Sequence, residues 1–190
     1  MKNLIQNIFQ ESIHVKQETL KTNLEAMVKA VEVITNAIQN NNKIFFFGNG
    51  GSAADSQHIA AEFIGRFQKE RRSFPAIALT TDSSILTALS NDYGYDIVFA
   101  RQIEGLGQKG DVAFGISTSG NSRNVIEGVK KAKAMGLNTI SLTGCGGGQL
   151  GKLTDVSIIV PSKNTARIQE SHMSVYHTIC ELVENQLSQA

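Results

Sequence analysis

Proline is nearly missing from these 190 residues: there are two, Pro75 and Pro161. Nothing of that kind interrupts the first forty residues, so a long helix can form there. Tryptophan is absent, and cysteine is limited to Cys145 and Cys180. The two fit no zinc spacing and no CxxC motif; free thiols of a reducing compartment are expected. An excess of one charge is also lacking. Eighteen Lys and Arg against seventeen Asp and Glu leave +1, which excludes the basic footprint of a typical nucleic-acid binder and a polybasic membrane anchor. No apolar run approaches the roughly 18 residues of a membrane span. The opening residues MKNLIQNIFQESIHVKQE hold no continuous apolar core, so a signal peptide is not expected. What is present is a hydrophobic share of 41% with 17 glycines, an ordinary globular composition that argues against disorder. One domain over 1–190, of cytoplasmic α/β type, is the expectation.

Residues 1–40 place Leu4, Ile5, Ile8, Phe9 and Ile13, then Leu20, Leu24, Met27, Val28, Val31 and Ile34, largely three or four apart. That is one helical stripe, and it needs a partner on its own chain or on another subunit. Beyond it the rhythm changes. Short apolar runs at 43–48, 75–81, 111–118, 138–144 and 156–161 are continuous rather than alternating, as strands buried on both faces should be. Helical stretches separate them: Ser52–Phe67, Ser83–Leu89 with Asp96–Leu106, Asn121–Met135 and Ala166–Gln189. The alternation predicts five parallel strands in a doubly wound sandwich, with ligands at the carboxyl ends of the strands. Gly144–Gly151 (GCGGGQLG) is expected to be a mobile loop.

Two loops invite a small anion. Gly48-Asn49-Gly50-Gly51-Ser52 follows the first strand and opens a helix. Its glycines allow a sharp turn and close approach, and the helix start offers unpaired N–H groups. A tight turn with Ser52 as N-cap is the plainer reading. Ser117-Thr118-Ser119-Gly120-Asn121-Ser122 follows the third strand. Its hydroxyls and amides can surround phosphate oxygens without Lys or Arg. A cap needs only one of those hydroxyls.

His58 and Glu62 stand four apart among Ile59, Ala60, Ala61, Phe63 and Ile64, one turn apart on one face. They could form a mutually satisfied pair, half of a metal site or an acid–base pair. Gln169, Met173 and His177 advance by fours along the last helix. Gln169 and His177 would then lie about 12 Å apart along the axis, too far to share one ion easily. Either Gln169 sits on a distorted helix start or different subunits supply the groups. His172 reads as a polar residue on another face.

Taken together, GNGGS, Gln57–Phe63, Gly65-Arg66-Phe67, Asn91-Asp92-Tyr93-Gly94, GISTSGNS and RIQExH with His177 resemble the sedoheptulose 7-phosphate (phosphoheptose) isomerases of the sugar isomerase (SIS) superfamily. The resemblance covers nearly the whole chain. It implies a homotetramer with active sites between subunits, and one zinc per subunit on His58, Glu62, Gln169 and His177. It also implies a sugar phosphate held by the loop Asn49, Gly50, Gly51 and Ser52, by Asn91 and Asp92, by Ser117, Thr118, Ser119 and Ser122, and by Gln169. The implied reaction is ketose–aldose isomerisation of sedoheptulose 7-phosphate to D-glycero-D-manno-heptose 7-phosphate through an enediolate. That step begins the synthesis of activated heptose for lipopolysaccharide or capsule. Glu62 would be the base and His177 the acid. A non-catalytic SIS module, binding a sugar phosphate or a replication-initiator partner, is the alternative.

Overall fold

The structure is a computed structural model that describes residues 1–188. Helix α1 (Lys2–Gln39) leads into strand β1 (Ile44–Gly48), α2 (Gly51–Ile64) and β2 (Ala76–Ala78). Helix α3 (Ser83–Tyr93) ends at Gly94, whose φ of 86° breaks the helix, and a 3-10 turn leads to α4 (Val98–Leu106). Then come β3 (Val112–Ser117), α5 (Arg123–Ala134), β4 (Asn138–Thr143), a short α6 (Leu150–Leu153), β5 (Val156–Ile159) and α7 (Thr165–Leu187). The sequence-based end of the last helix, Gln189, lies outside the described residues.

All five strands run parallel in the order β2-β1-β3-β4-β5. Along β1 the side chains alternate between two cores, as a pleated strand requires. Ile44 and Phe46 face a layer with Ile34 and Ile38 of α1, Phe63 of α2 and Tyr176 of α7. Phe45 and Phe47 face a layer with Phe99 of α4 and Val125 and Val129 of α5. Every residue of β1 is buried, which is why its sequence is a continuous apolar run rather than an alternating one.

The strand order reverses between β1 and β3, and Gly48 pairs with Ile116 at their shared carboxyl ends. The loops after these two strands therefore leave the sheet side by side, at the point where open α/β sheets bind ligands.

From Val15 onward α1 has buried positions, whereas Leu4, Ile5, Ile8, Phe9 and Ile13 remain exposed. Asn23 of α1 caps the edge of the sheet: its Nδ2 donates to Ile159 O at 3.0 Å, and its Oδ1 accepts from Ile159 N–H at 2.7 Å. One amide thus satisfies both backbone groups of an edge-strand residue.

Two expectations are corrected. Gly50, with φ 54°, holds the N-cap position of α2 without a side-chain cap, and Ser52 is buried inside the first turn. The backbone needs positive φ at the cap, which glycine accepts and serine does not. Gly144–Gly151 is an ordered connection rather than a mobile one. Gly144 N–H donates to Thr118 O and Leu150 N–H to Gly120 O, and the segment contains a 3-10 turn and the start of α6. No helix among the described residues is long and apolar enough to cross a membrane. Both cysteines are free, Cys145 exposed and Cys180 buried.

Gly148 sits where this connection presses on the loop after β3. Its φ is +57°, and a Cβ there would lie 2.5 Å from Gly120 O. Gly148→Ala should therefore lower unfolding stability by about 1–3 kcal/mol, read from urea denaturation; an unchanged midpoint would contradict the packing described.

Candidate active site

The first loop is built by three restrictions. A Cβ on Gly48 would meet Ile116 O and Ser52 within 2.9 Å. Gly50 requires positive φ, and a Cβ on Gly51 would collide with Gln169 Nε2. Asn49 then points into a reciprocal amide pair. Its Nδ2 donates to Asn124 Oδ1, and Asn124 Nδ2 donates to Asn49 Oδ1, each at 2.8 Å. Tyr95 O–H also donates to Asn49 Oδ1 at 3.2 Å. Asn124 is buried in the first turn of α5, so the pair ties the two loops to each other.

In the second loop the hydroxyls cluster. Ser117 Oγ lies 2.9 Å from Ser122 Oγ and 3.4 Å from Ser119 Oγ. Ser119 Oγ accepts from Asn121 N–H at 3.1 Å. Ser122 occupies the N-cap position of α5 but makes no side-chain cap bond. Neither N-cap residue makes a side-chain cap bond, although Val125 N–H of α5 donates to Asn124 Oδ1 at 3.0 Å, and no Lys or Arg lies between 117 and 122. Such a surface can hold an anion by hydroxyls and N–H groups alone. Thr118 is half-buried, and its carbonyl accepts from Gly144 N–H. Asn91 and Asp92 stand exposed in the last turn of α3, bonded to each other at 2.9 Å.

Helices α2 and α7 run side by side in the same direction. Gln169 lies over Gly51, Tyr176 over His58, and Glu184 beyond the end of α2. This pairing brings His58, Glu62 and His177 together, with one ligand-type atom of each within 4.8 Å of the others. His58 Nε2 is 3.1 Å from Glu62 Oε1, and the two imidazole rings meet edge-on at 5.0 Å. Phe67 packs on His177 at 5.5 Å between centroids. His177 Nε2 is buried without a hydrogen-bond partner. Burial pushes the His177 pKa below the ordinary imidazole value, with the His58 charge adding to the effect and Glu62 opposing it. A carboxylate and two imidazoles, one with an unsatisfied buried nitrogen, make a donor set that fits zinc.

Gln169 does not join this group within the chain. α7 is unbroken, so eight residues place Gln169 about 12 Å along the axis from His177. The distorted helix start is thereby removed as an explanation. Gln169 instead lines a cavity with Gly51, Asp55, Ala166, Glu170 and Met173.

His172 lies on another face of α7, and that face is turned into the core. It is fully buried, and its Nε2 lies 3.1 Å from Thr143 O. Burial pushes its pKa down to about 4, against a smaller upward pull from the Thr143 carbonyl.

Three contributors have no local signal in the sequence. Asn124 is one. The others are Glu184 and Arg71, a buried ion pair at 3.0 Å. Glu184 accepts N–H bonds from Phe67, Gln68 and Lys69 at 2.9, 2.7 and 2.8 Å. Arg71 donates to the carbonyls of Glu62 and Phe63 at 2.8 and 3.0 Å. A helix followed by a charged segment is a common pattern; only the fold shows which charges are buried.

The SIS domain family model matches residues 8–144. The chain is 54% identical over 180 residues to a phosphoheptose isomerase of Aquifex aeolicus, covering 95% of this chain and 94% of that one. It is 54% identical over 179 residues to the phosphoheptose isomerase of Aliarcobacter butzleri, covering 94% and 93%. The solved phosphoheptose isomerase of Neisseria gonorrhoeae superposes with a TM-score of 0.92 at 46% identity, over 97% of this chain and 98% of that one.

The buried neutral His172 gives a pH dependence of known sign. Its folded pKa lies below the unfolded value of 6.5, so between pH 6.5 and 4 only the unfolded chain gains the proton. Stability therefore falls by about 3 kcal/mol across that window. Denaturant titrations of the chelator-treated protein at several pH values should show this loss, and His172→Gln should lack it. Equal losses in both proteins would contradict the assignment.

Proposed function

The chain belongs to the phosphoheptose isomerase family of SIS-domain proteins, and from that premise we propose how its residues divide the work of a sugar phosphate isomerase. The proposed reaction converts sedoheptulose 7-phosphate to D-glycero-D-manno-heptose 7-phosphate, in the cytoplasm, as the first step toward activated heptose for lipopolysaccharide or capsule. Residues 1–190 are taken as one SIS domain. Four copies form a homotetramer with the active sites between subunits; the exposed Leu4, Ile5, Ile8 and Phe9 and an α3 without buried residues offer the apolar surface such an assembly would cover.

The single observation that carries the catalytic reading is the convergence of Glu62 with two imidazoles. A module that only binds a sugar phosphate has no need of it. In the proposed site the phosphate rests on Ser117, Thr118, Ser119 and Ser122 and on the start of α2 at Gly50, Gly51 and Ser52. Asn49, Asn91, Asp92 and Gln169 hold sugar hydroxyls. Glu62 removes the C1 proton of the ketose, giving the enediolate, and His177 carries a proton from the C1 hydroxyl to the C2 oxygen. Glu62 then returns the proton to C2, and the aldose forms. Burial suits His177 to this role, because an imidazole kept neutral at pH 7 can both give and take a proton.

His58, Glu62 and His177 would hold one zinc ion, with Gln169 completing the set only from another subunit or after a change of position. Zinc supplies positive charge that polarises carbonyl and hydroxyl oxygens. A carboxylate has two oxygens. With Glu62 Oε1 turned toward His58, Oε2 is left for the substrate proton, which eases the conflict between ligand and base.

Purified protein given sedoheptulose 7-phosphate should form the aldose, followed by NMR. Glu62→Gln should keep the fold and lower turnover by about 10²–10⁴; near-normal kcat in that variant would remove Glu62 from the mechanism. Ser119→Ala should raise KM more than it lowers kcat, since it removes a contact made equally in ground and transition states. A fall in kcat at unchanged KM would move the phosphate off this loop.

A further inference from the structure

The roles assigned above use Asn49 but give none to the residue behind it. Asn124 is buried in the first turn of α5. The oxygen and nitrogen of an amide have the same shape, so its orientation is read from its partners. One partner of Asn124 is unambiguous. Val125 N–H, a backbone donor, lies 3.0 Å from Asn124 Oδ1. That contact requires an oxygen, which places Nδ2 on the other side.

The rest of the order follows. Asn124 Nδ2 has only hydrogens to give, so the Asn49 atom 2.8 Å from it is the oxygen. Asn49 Nδ2 then returns one hydrogen to Asn124 Oδ1, also at 2.8 Å. Turning the Asn49 amide over would set nitrogen against nitrogen and oxygen against oxygen. Tyr95 O–H donates to the second lone pair of Asn49 Oδ1, at 3.2 Å. With both lone pairs occupied and one amide hydrogen spent, Asn49 keeps one group for a ligand. It is the second N–H, on the side of the nitrogen away from Asn124.

We propose that Asn124 is a positioning residue that holds the Asn49 amide with a single N–H turned outward, so that this point of the site takes a ligand oxygen with a free lone pair. The inference rests on the reading of Asn49 as a substrate contact. A phosphate oxygen, a carbonyl oxygen or a hydroxyl whose own hydrogen is directed elsewhere fits there. A protonated amine, which has hydrogens alone to offer, does not. A donor already aimed in the free protein also leaves less ordering to be done on binding.

The experiment uses the full chain carrying Glu62→Gln, with the affinity for sedoheptulose 7-phosphate read by calorimetry. Asn49→Ala and Asn124→Leu should each weaken binding about 5- to 50-fold. Leucine is close to asparagine in volume but has no polar side-chain atom; Asn124→Ala serves if Asn124→Leu does not fold. Because Asn124 acts through Asn49, the double variant should bind no more weakly than the worse single one. Side-chain amide signals of Asn49, identified by their loss in Asn49→Ala, supply a second readout. Their two hydrogens should be farther apart in shift than those of a solvent-exposed amide, and one should move when the sugar phosphate binds. In Asn124→Leu the spacing should shrink to that of an exposed amide. A tie that merely steadied the loops would lower the melting temperature and leave the outward hydrogen unmoved by the ligand. That result overturns the proposal, as does unchanged affinity in Asn124→Leu beside a loss in Asn49→Ala, or a double variant weakened by the product of the two single losses. Full affinity in Asn49→Ala overturns the reading of Asn49 as a substrate contact, and the proposal with it.

Discussion

The site depends on a carboxylate that never touches it. Glu184, near the end of α7, is buried and accepts three backbone N–H groups from the segment after α2, together with Arg71 Nε. Burial raises the cost of its charge, but the N–H groups of Gln68, Phe67 and Lys69 and the Arg71 guanidinium outweigh that cost, and its pKa falls below the ordinary carboxylate value. A buried charge tolerates this position only when fully paired, so the four donors specify one arrangement of the chain. Arg71 passes the constraint onward by donating to the Glu62 and Phe63 carbonyls at the end of α2. The 67–71 segment is thereby held so that Phe67 lies against His177. Fixing one end of the α2–α7 pair in this way sets the height at which His177 meets His58 and Glu62.

The other end of the same pair belongs to the sheet. Strand order reverses between β1 and β3, and the loops that follow them are joined by the two amides of Asn49 and Asn124. The loop after β3 is held from a third side by the glycine connection of 144–151, through Gly144 N–H to Thr118 O and Leu150 N–H to Gly120 O. Hydroxyls and backbone donors can then keep their positions without a ligand, so less ordering is left to be done when an anion binds.

Much of this is legible in the sequence itself. Continuous runs such as Ile44–Phe47 disclosed strands covered on both faces, and the spacing of His58 and Glu62 disclosed a shared helix face. The reading failed where conformation, not composition, decides. Ser52 has the chemistry of a cap, yet the chain needs positive φ at the cap position and places Gly50 there. The glycines of 144–151 suggested mobility, but Gly148 is needed because the backbone of Gly120 comes too close for a Cβ, and Gly144 and Gly147 because the side chains of Ile168 and Ile159 do. His172 carried no mark of burial, since its partner is the carbonyl of a strand 29 residues away. Glu184 and Phe67 are 117 residues apart, and Tyr176 and His58 are 118 apart. Contacts at such separations leave no periodicity to read.

The central claim is that α2 and α7 build one centre from His58, Glu62 and His177 that binds a metal ion and moves the substrate proton. Anomalous diffraction at the zinc edge, from crystals grown with zinc, tests it most directly. The account expects one strong peak per subunit among His58 Nε2, a Glu62 oxygen and a His177 nitrogen, at about 2.0–2.2 Å from each. A peak on other residues, or none beside these three, would contradict it.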